Sequence, residues 1–320
     1  MTEVYTYGST SVLIGKEDSW GTGVLASKDI GLVQNCSPNE RNNYEKVHVV
    51  GARNQNTWSA HKFEATASLE TIFQNGRLLE YAIGSVVHDA TDTPDIKHTF
   101  TEGNALESFT LHNGMSATST VNKDYMGCKI NTLTMGLEAT GQLTMRAEVI
   151  GKNASYASTA IASSVSTIKT LPAWTGTISN GTVGAEATIG LIRSWEWTIN
   201  NNLIPTEAVG TRQLAALDEG PRDYEGRISI AFSDSDQYAN FLGGTSPVAG
   251  NPTTQSFIIN CSTGTLGAGR RHFYLEQNVA GYEAVTNPIS IGGVIYQDFD
   301  YIAKEINSCY TYDTIASDNW

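Results

Sequence analysis

The sequence predicts an all-β fold with minor α content (α+β): two tandem β-sandwich or barrel domains, each with a long hairpin and one short helix. Three observations carry this. From Gln142 to Val149, apolar Leu143, Met145, Ala147 and Val149 alternate strictly with Gln142, Thr144, Arg146 and Glu148. That is the period of a strand with one buried and one wet face. The composition combines 30 glycines with only 17% charged residues, as in chains with many strands and turns. Finally, the chain repeats itself. Gly293, Phe299, Tyr301, Ile302 and Lys304 fall on Gly141, Ala147, Val149, Ile150 and Lys152 at an offset of 152. VGARN at Val50–Asn54 falls on VGTRQ at Val209–Gln213, and Tyr81–Gly84 on Asn240–Gly243, at an offset of 159. Between these, Phe63, Glu64 and Ala65 align with Tyr224, Glu225 and Gly226.

Residues 1–35 read as an N-terminal arm, with an apolar patch at Val12, Leu13 and Ile14, a turn at Gly21–Gly23 and a short strand around Ile30–Val33. The first domain, 36–152, opens on the polar stretch Cys36–Lys46, which reads as an exposed loop. Phe63, Ala65, Ala67 and Leu69 alternate as a strand. Leu78, Leu79, Ala82 and Ile83 follow at helical spacing within Gln74–Ile83, with Gly84 placed to end the helix. Leu133, Met135 and Leu137 then alternate with Thr132, Thr134 and Gly136, and the break at Ala139–Gly141 turns the chain back into the strand described above. The result is a long antiparallel hairpin.

Residues 153–190, rich in Ser, Ala, Thr and Gly, connect the halves and carry some extended structure of their own. The second domain, 191–309, begins with a strand that places Trp195, Trp197 and Ile199 on one face, where the two tryptophans are expected to anchor a core or a subunit interface. Its helix has Ser233 as cap, Asp234 and Asp236 in the first turn, and an apolar stripe of Tyr238, Phe241 and Leu242 stopped by Gly243. The second hairpin lies in Glu283–Lys304, and 310–320 form a tail.

The net charge of −13 and pI near 4.8 argue against holding DNA, which requires lysines and arginines gathered on one surface. The same sign of charge suits a conduit, because an acidic wall repels a polyanion and lets it pass. Acidity that only keeps the chain soluble is the plain alternative. No apolar run approaches the roughly 18 residues that span a bilayer, and Met1–Gly8 is polar, so no membrane partner is expected. Cys36, Cys128, Cys261 and Cys309 are widely separated and are expected to be reduced, a Cys128–Cys309 bridge being the alternative.

Tests for chemistry come out empty. Ser59–Lys62 fits S-x-x-K and Ser317–Asn319 fits S-D-N. However, K-T-G is missing, and Ser59 leads into a strand rather than starting a buried helix. His48, His61, His88, His98, His112 and His272 are scattered, with no metal-ligand spacing. Asp89, Asp92 and Asp95, and Asp234 with Asp236, offer too few ligands in order for calcium. Gly264, Gly267 and Gly269, before Arg270 and Arg271, read as a hairpin tip rather than an anion nest. The N-x-[ST] matches at Asn153, Asn180 and Asn260 are of the kind chance supplies. No catalytic residue, cofactor or metal is expected.

The stretch IGKEDSWGTGV holds Glu17, Trp20, Gly21 and Thr22 in the pattern E-x-x-(aromatic)-G-T. GCKINTLTM from Gly127, a Gly-containing turn and an alternating strand closing on VIGK follow it. Together they resemble the tail tube proteins of long-tailed viruses of bacteria and archaea. The second copy departs from the pattern, lacking G-C-K and carrying Pro288 in its first hairpin strand, which points to an edge or bulge there.

The resemblance implies tail-tube-like domains in a structural virion protein whose rings stack into the conduit for genome ejection. It implies self-assembly, with two domains per chain giving a trimer of pseudo-sixfold symmetry; a hexamer follows if the repeat is illusory. Tape-measure, tail terminator and baseplate proteins would be partners, DNA would pass without specific binding, and assembly would occur in the host cytoplasm. On this view Leu143, Met145, Phe299 and Tyr301 pack outward, Glu148, Asp298 and Asp300 line the lumen, and Asn39, Glu40, Arg41, Asn42 and Asn43 contact the next ring. The rival reading is a virion adhesin or carbohydrate-binding β module with Trp195 and Trp197 as a sugar platform.

Overall fold

A computed structural model describes residues 11–115, 122–157, 169–232, 236–247, 254–287, 294–317 and 320. In chain order its elements are β1 (Ser11–Lys16), β2 (Leu32–Val47), β3 (Thr57–Ile72), α1 (Arg77–Ile83), β4 (Gly84–Asp89), β5 (Ile96–Glu102) and β6 (Phe109–Gly114). The long hairpin is β7 (Asn122–Glu138) with β8 (Thr144–Gly151), followed by β9 (Asn153–Ala157), β10 (Gly176–Gly181) and β11 (Ala187–Thr188). The second half runs through β12 (Ile192–Asn200), β13 (Ile204–Thr206), β14 (Ala216–Asp218), β15 (Asp223–Ala231) and α2 (Asp236–Leu242). It ends with β16 (Gln255–Thr263), β17 (Arg271–Thr286), β18 (Tyr296–Ala303) and β19 (Glu305–Asp313). The fold is all-β with minor α, as expected. Ser233 and Asp234, the expected cap of α2, lie outside the described residues, as do Pro288, Gly293, Asp318 and Asn319.

Pairing is antiparallel throughout. A large sheet has the order β2-β3-β8-β7-β12-β15-β18-β17. A second has the order β11-β10-β16-β17-β19-β5-β4, and a smaller one joins β1, β6, β7 and β9. Strands β7 and β17 are long enough to pass from one sheet into another. The large and second sheets face each other across one continuous core, where the Phe257 ring of β16 stacks on Tyr301 of β18 with centroids 4.5 Å apart.

Two pairs of strands in the large sheet have corresponding registers. In β7–β8, Lys129 faces Ile150, Ile130 faces Val149, and after a bulge Thr132 faces Glu148 and Leu133 faces Ala147. In β17–β18, Gly281 faces Ile302, Tyr282 faces Tyr301, and after a bulge at the same step Ala284 faces Asp300 and Val285 faces Phe299. Strands β2–β3 and β12–β15 match in the same way, with bulges between Val33 and Asn35 and between Ile192 and Ser194. The pairing sets Ala65 and Ala67, not Phe63 and Ala65, against Tyr224 and Gly226, because they face Gly151 and Val149 as the latter face Ala303 and Tyr301. A shift of two residues preserves which face is buried, so side-chain pattern leaves it open and only the hydrogen-bond register decides.

Two further expectations change. Cys36–Lys46 is not a loop but most of β2, whose partner β3 pairs with it as far as Val47 and Thr57. Its polarity reflects an edge strand that is mostly wet, with Val33 and Cys36 still packed against the core. Residue 36, the expected start of the first domain, lies inside this strand. Helix α1 is wholly buried, including Arg77, which donates to the backbone carbonyl and carboxylate of Asp29. Glu80 on the same helix accepts from Lys16 Nζ at 2.9 Å and Trp320 Nε1 at 2.7 Å. Helix α2 has no buried residue, and its Gln237 is held at the periphery by Asn180 and Tyr282.

Candidate functional site

The signature residues converge on one knot. Glu17 is buried, and its carboxylate accepts from Gly21 N at 2.9 Å, Ser108 Oγ at 2.8 Å, Thr110 Oγ1 at 2.9 Å and Gly127 N at 2.8 Å. Trp20 Nε1 donates to the Gly127 carbonyl, and the Lys152 ammonium lies 4.4 Å over the Trp20 ring. Gly21 and Gly127 both have positive φ, and a Cβ on either would strike Lys152. Residues far apart in sequence thus tie the segment after β1 to the base of the β7–β8 hairpin. The knot is structural: all acceptor capacity of the buried carboxylate is turned inward.

The large sheet presents two unlike faces. Leu133, Met135, Leu143, Met145, Ala147, Val149, Trp195, Trp197, Phe299 and Tyr301 are buried in the core. The expected packing residues Leu143, Met145, Phe299 and Tyr301 therefore share one side. Tyr301 OH accepts from Trp195 Nε1 at 3.2 Å and donates to Gln277 at 3.3 Å, while burial raises its pKa. The wet side carries Glu70, Glu138, Glu148, Glu196, Glu225, Asp298 and Asp300 against Arg146 and Arg227. Glu148 accepts from Ser68 Oγ at 2.7 Å, and Arg227 lies 3.5 Å from Asp298 and 3.6 Å from Asp300. Glu148 on β8 and, four strands away, Asp298 and Asp300 on β18 all lie on this acidic face.

At its margins the large sheet has two edges that pair with nothing further among the described residues: β2 on one side and the Gly281–Thr286 part of β17 on the other. Such edges are templates for strand addition. Asn39, Glu40, Arg41 and Asn42 lie in the paired part of β2, and Asn43 sits at its bulge between Asn42 and Tyr44. Glu40 also accepts from Lys123 Nζ and Tyr125 OH, each at 2.8 Å; partial burial is the largest single effect on its pKa and raises it, but the two bonds and the Lys123 charge together outweigh it, so the pKa is lowered.

Beyond the sheet each half sends out an arm. The first is the distal β2–β3 hairpin, turning at Val50–Gly51; the second is β13–β14, turning at Val209–Gly210. Lys46 faces Trp58 in the first, and Pro205 faces Leu217 in the second, which is the same register. The second arm folds back onto the first half. Leu203, Leu214 and Leu217 form a satellite cluster with Leu106, against which Trp20 and Ile150 pack. Lys129 Nζ holds the Leu217 carbonyl at 3.1 Å, and Phe63 N donates to the Arg212 carbonyl at 2.8 Å.

Other candidates resolve into structure. Trp195 and Trp197 are 2% and 0% exposed, so they offer no sugar platform. Ser59 Oγ and Glu45 both approach the same nitrogen of His61, Nε2. A relay needs the two ring nitrogens separately, so this exposed trio is not a catalytic triad. The glycine turn donates Gly267 N to the buried carboxylate of Asp95 at 2.7 Å, an internal acceptor rather than an outside anion. Among the described residues no acidic, His or Cys group is arranged to hold a metal ion. All four thiols are free, with no Cys128–Cys309 bridge; burial pushes Cys36 up to about 11 and Cys261 to about 12, so they are poor nucleophiles. Asn180 is buried and bonded to Gln237, Gln255 and Tyr282, which leaves no room for a glycan. Sequence reasoning missed the edge β2 and the second arm, whose one readable signal was the repeated VG-x-R tip.

No curated protein matches the chain. A family model does, over residues 9–303, and it is that of the phage tail tube protein.

Proposed function

The chain belongs to the phage tail tube protein family, and from that premise we propose that three copies close into a pseudo-sixfold ring, each chain supplying two four-stranded units of a continuous barrel. As a member it is a structural virion tail component that assembles with itself into a stacked tube. The observation that carries the ring reading is the β7–β12 joint. There the last strand of one unit, β7, pairs with the first strand of the next, β12. The equivalent strands at the free margins are β17 and β2. Joining β17 of one copy to β2 of another repeats the internal joint and removes both edges, as a closed barrel requires.

The repeat sets the register of that joint. Thr198 faces Thr134 internally, their hydroxyls 3.0 Å apart, and Asn200 faces Thr132. The corresponding pairs between copies are Asn39 with Thr286 and Arg41 with Ala284. In this arrangement Asn39–Asn42 belong to a contact within a ring. We further infer that the unit is a tandem duplication, that the acidic face lines a bore through which DNA passes unheld, and that the protein performs no enzymatic step. The tape-measure, terminator and baseplate partners, and assembly in the host cytoplasm, remain part of this reading. Negative-stain microscopy with sedimentation tests it: rings of three chains with a central hole are expected, and rings of six chains would overturn the duplication. An Asn39→Cys/Thr286→Cys variant should form disulfide-linked chains only when assembled, since directly opposed strand positions suit the bond.

A further inference from the structure

Resting on the ring reading, we propose that the first arm, the distal part of β2–β3, docks on a neighbouring copy in the same ring, with Tyr44 and Trp58 covering Ile302. The template is inside the chain. The second arm reaches back from β12 and β15 over the preceding unit, where Leu203 and Leu217 are buried in the cluster that packs on Ile150. At the same offsets used above, Leu203 corresponds to Tyr44, Leu217 to Trp58, and Ile150 to Ile302.

In the isolated chain these counterparts are bare. Tyr44 is 51% and Trp58 59% exposed, with their rings in edge contact at 4.9 Å, and Ile302 is 48% exposed. Single exposed hydrophobics are ordinary on a surface; what sets these three apart is that their counterparts Leu203, Leu217 and Ile150 pack together in one cluster. One contact covers all three. Among the described residues no unit precedes the first arm, and no arm follows the second unit. Closing the ring supplies each with the other.

The backbone clamp has its counterpart as well. Arg212 donates Nε to the His61 carbonyl at 2.8 Å and a second guanidinium N–H to Asn42. Arg53 occupies the same place after the Val-Gly turn, and Gly220 corresponds to His61. Arg53 of one copy therefore reaches the Gly220 carbonyl of the next. The occupant of the Ile302 patch is accordingly a second copy of this chain.

The test uses Trp58→Cys and Ile302→Cys in a Cys36→Ser background, with assembled tubes treated with a short bis-maleimide. Mixed single variants should link in pairs. The double variant should give covalent species that stop at three chains, because a closed ring exhausts the sites. Linked species running past three chains would show that the arm reaches another ring and overturn the proposal, as would assembled tubes that do not link. Trp58→Ala should keep the monomer's unfolding midpoint while raising the concentration for half-assembly at least tenfold; an unchanged assembly concentration overturns the docking. Wild-type protein that forms no rings would sink the ring reading itself, a result separable from failure of the link.

Discussion

At the scale of single residues, a buried polar group stabilises the fold when its partners are complete. Glu17 is the clearest case. Its four donors come from three separate segments, so removing the carboxylate leaves Gly127 N buried, and Gly21 N half-buried, without this acceptor. Glu17→Ala should cost roughly 3 kcal/mol or more, read as a fall in the urea midpoint without a change in slope. His272 makes a pH prediction. It is buried among Tyr274, Tyr310 and Tyr312, and desolvation, helped by Arg270 and Lys97, lowers its pKa from 6.5 to about 4. The unfolded chain then binds more protons than the folded one between those values, so stability is lost as pH falls through that window. Denaturant midpoints of wild type and His272→Asn from pH 7 to 4 should diverge, with the shallower fall in the variant.

At the scale of elements, the two hairpins solve one packing problem with different volumes. Ala67 faces Val149 in the first unit, and Gly226 faces Tyr301 in the second. A Cβ on Gly226 would lie 2.1 Å from the Tyr301 ring. Gly226→Ala should therefore cost about 1 to 3 kcal/mol by overpacking. Combined with Tyr301→Val it should cost less than the two changes summed, because the pair then resembles that of the first unit. A double-mutant cycle measured by denaturant unfolding checks this, and strict additivity would mean that the two positions do not share space. The alternating strands were legible because burial on one face leaves a period of two, and α1 because Leu78, Leu79, Ala82 and Ile83 recur at helical spacing before Gly84 although the whole helix is buried. Strand β2 was not, since a mostly exposed edge strand has no such period and its composition is that of a loop.

At the scale of the whole molecule, the acidic face is an electrostatic surface whose effect depends on sum rather than on any one residue. Glu148→Lys, Asp298→Lys and Asp300→Lys together should leave the core untouched, since all three side chains lie on the wet face. In the proposed bore they should turn a surface that repels DNA into one that holds it. Co-sedimentation of tubes with short duplex DNA at low salt should rise in the triple variant and fall again with added salt. Equal retention by wild type and variant would place these acids away from the DNA path.

Composition and spacing alone carried the β-rich character, the alignable segments at offsets of 152 and 159, and the signature of Glu17, Trp20, Gly21 and Gly127. These are local or periodic properties, written in composition and spacing. Folding alone settled that the signature closes into one knot, that the Trp195–Trp197 face lies in the core rather than at a subunit interface, and that β3 aligns with β15 two residues from the apparent match. It also decided that β2 and β17 are the open margins. Each of these depends on which distant backbone groups find each other, and hydrogen-bond register over such separations leaves no mark in a sequence whose alternation survives a shift of two.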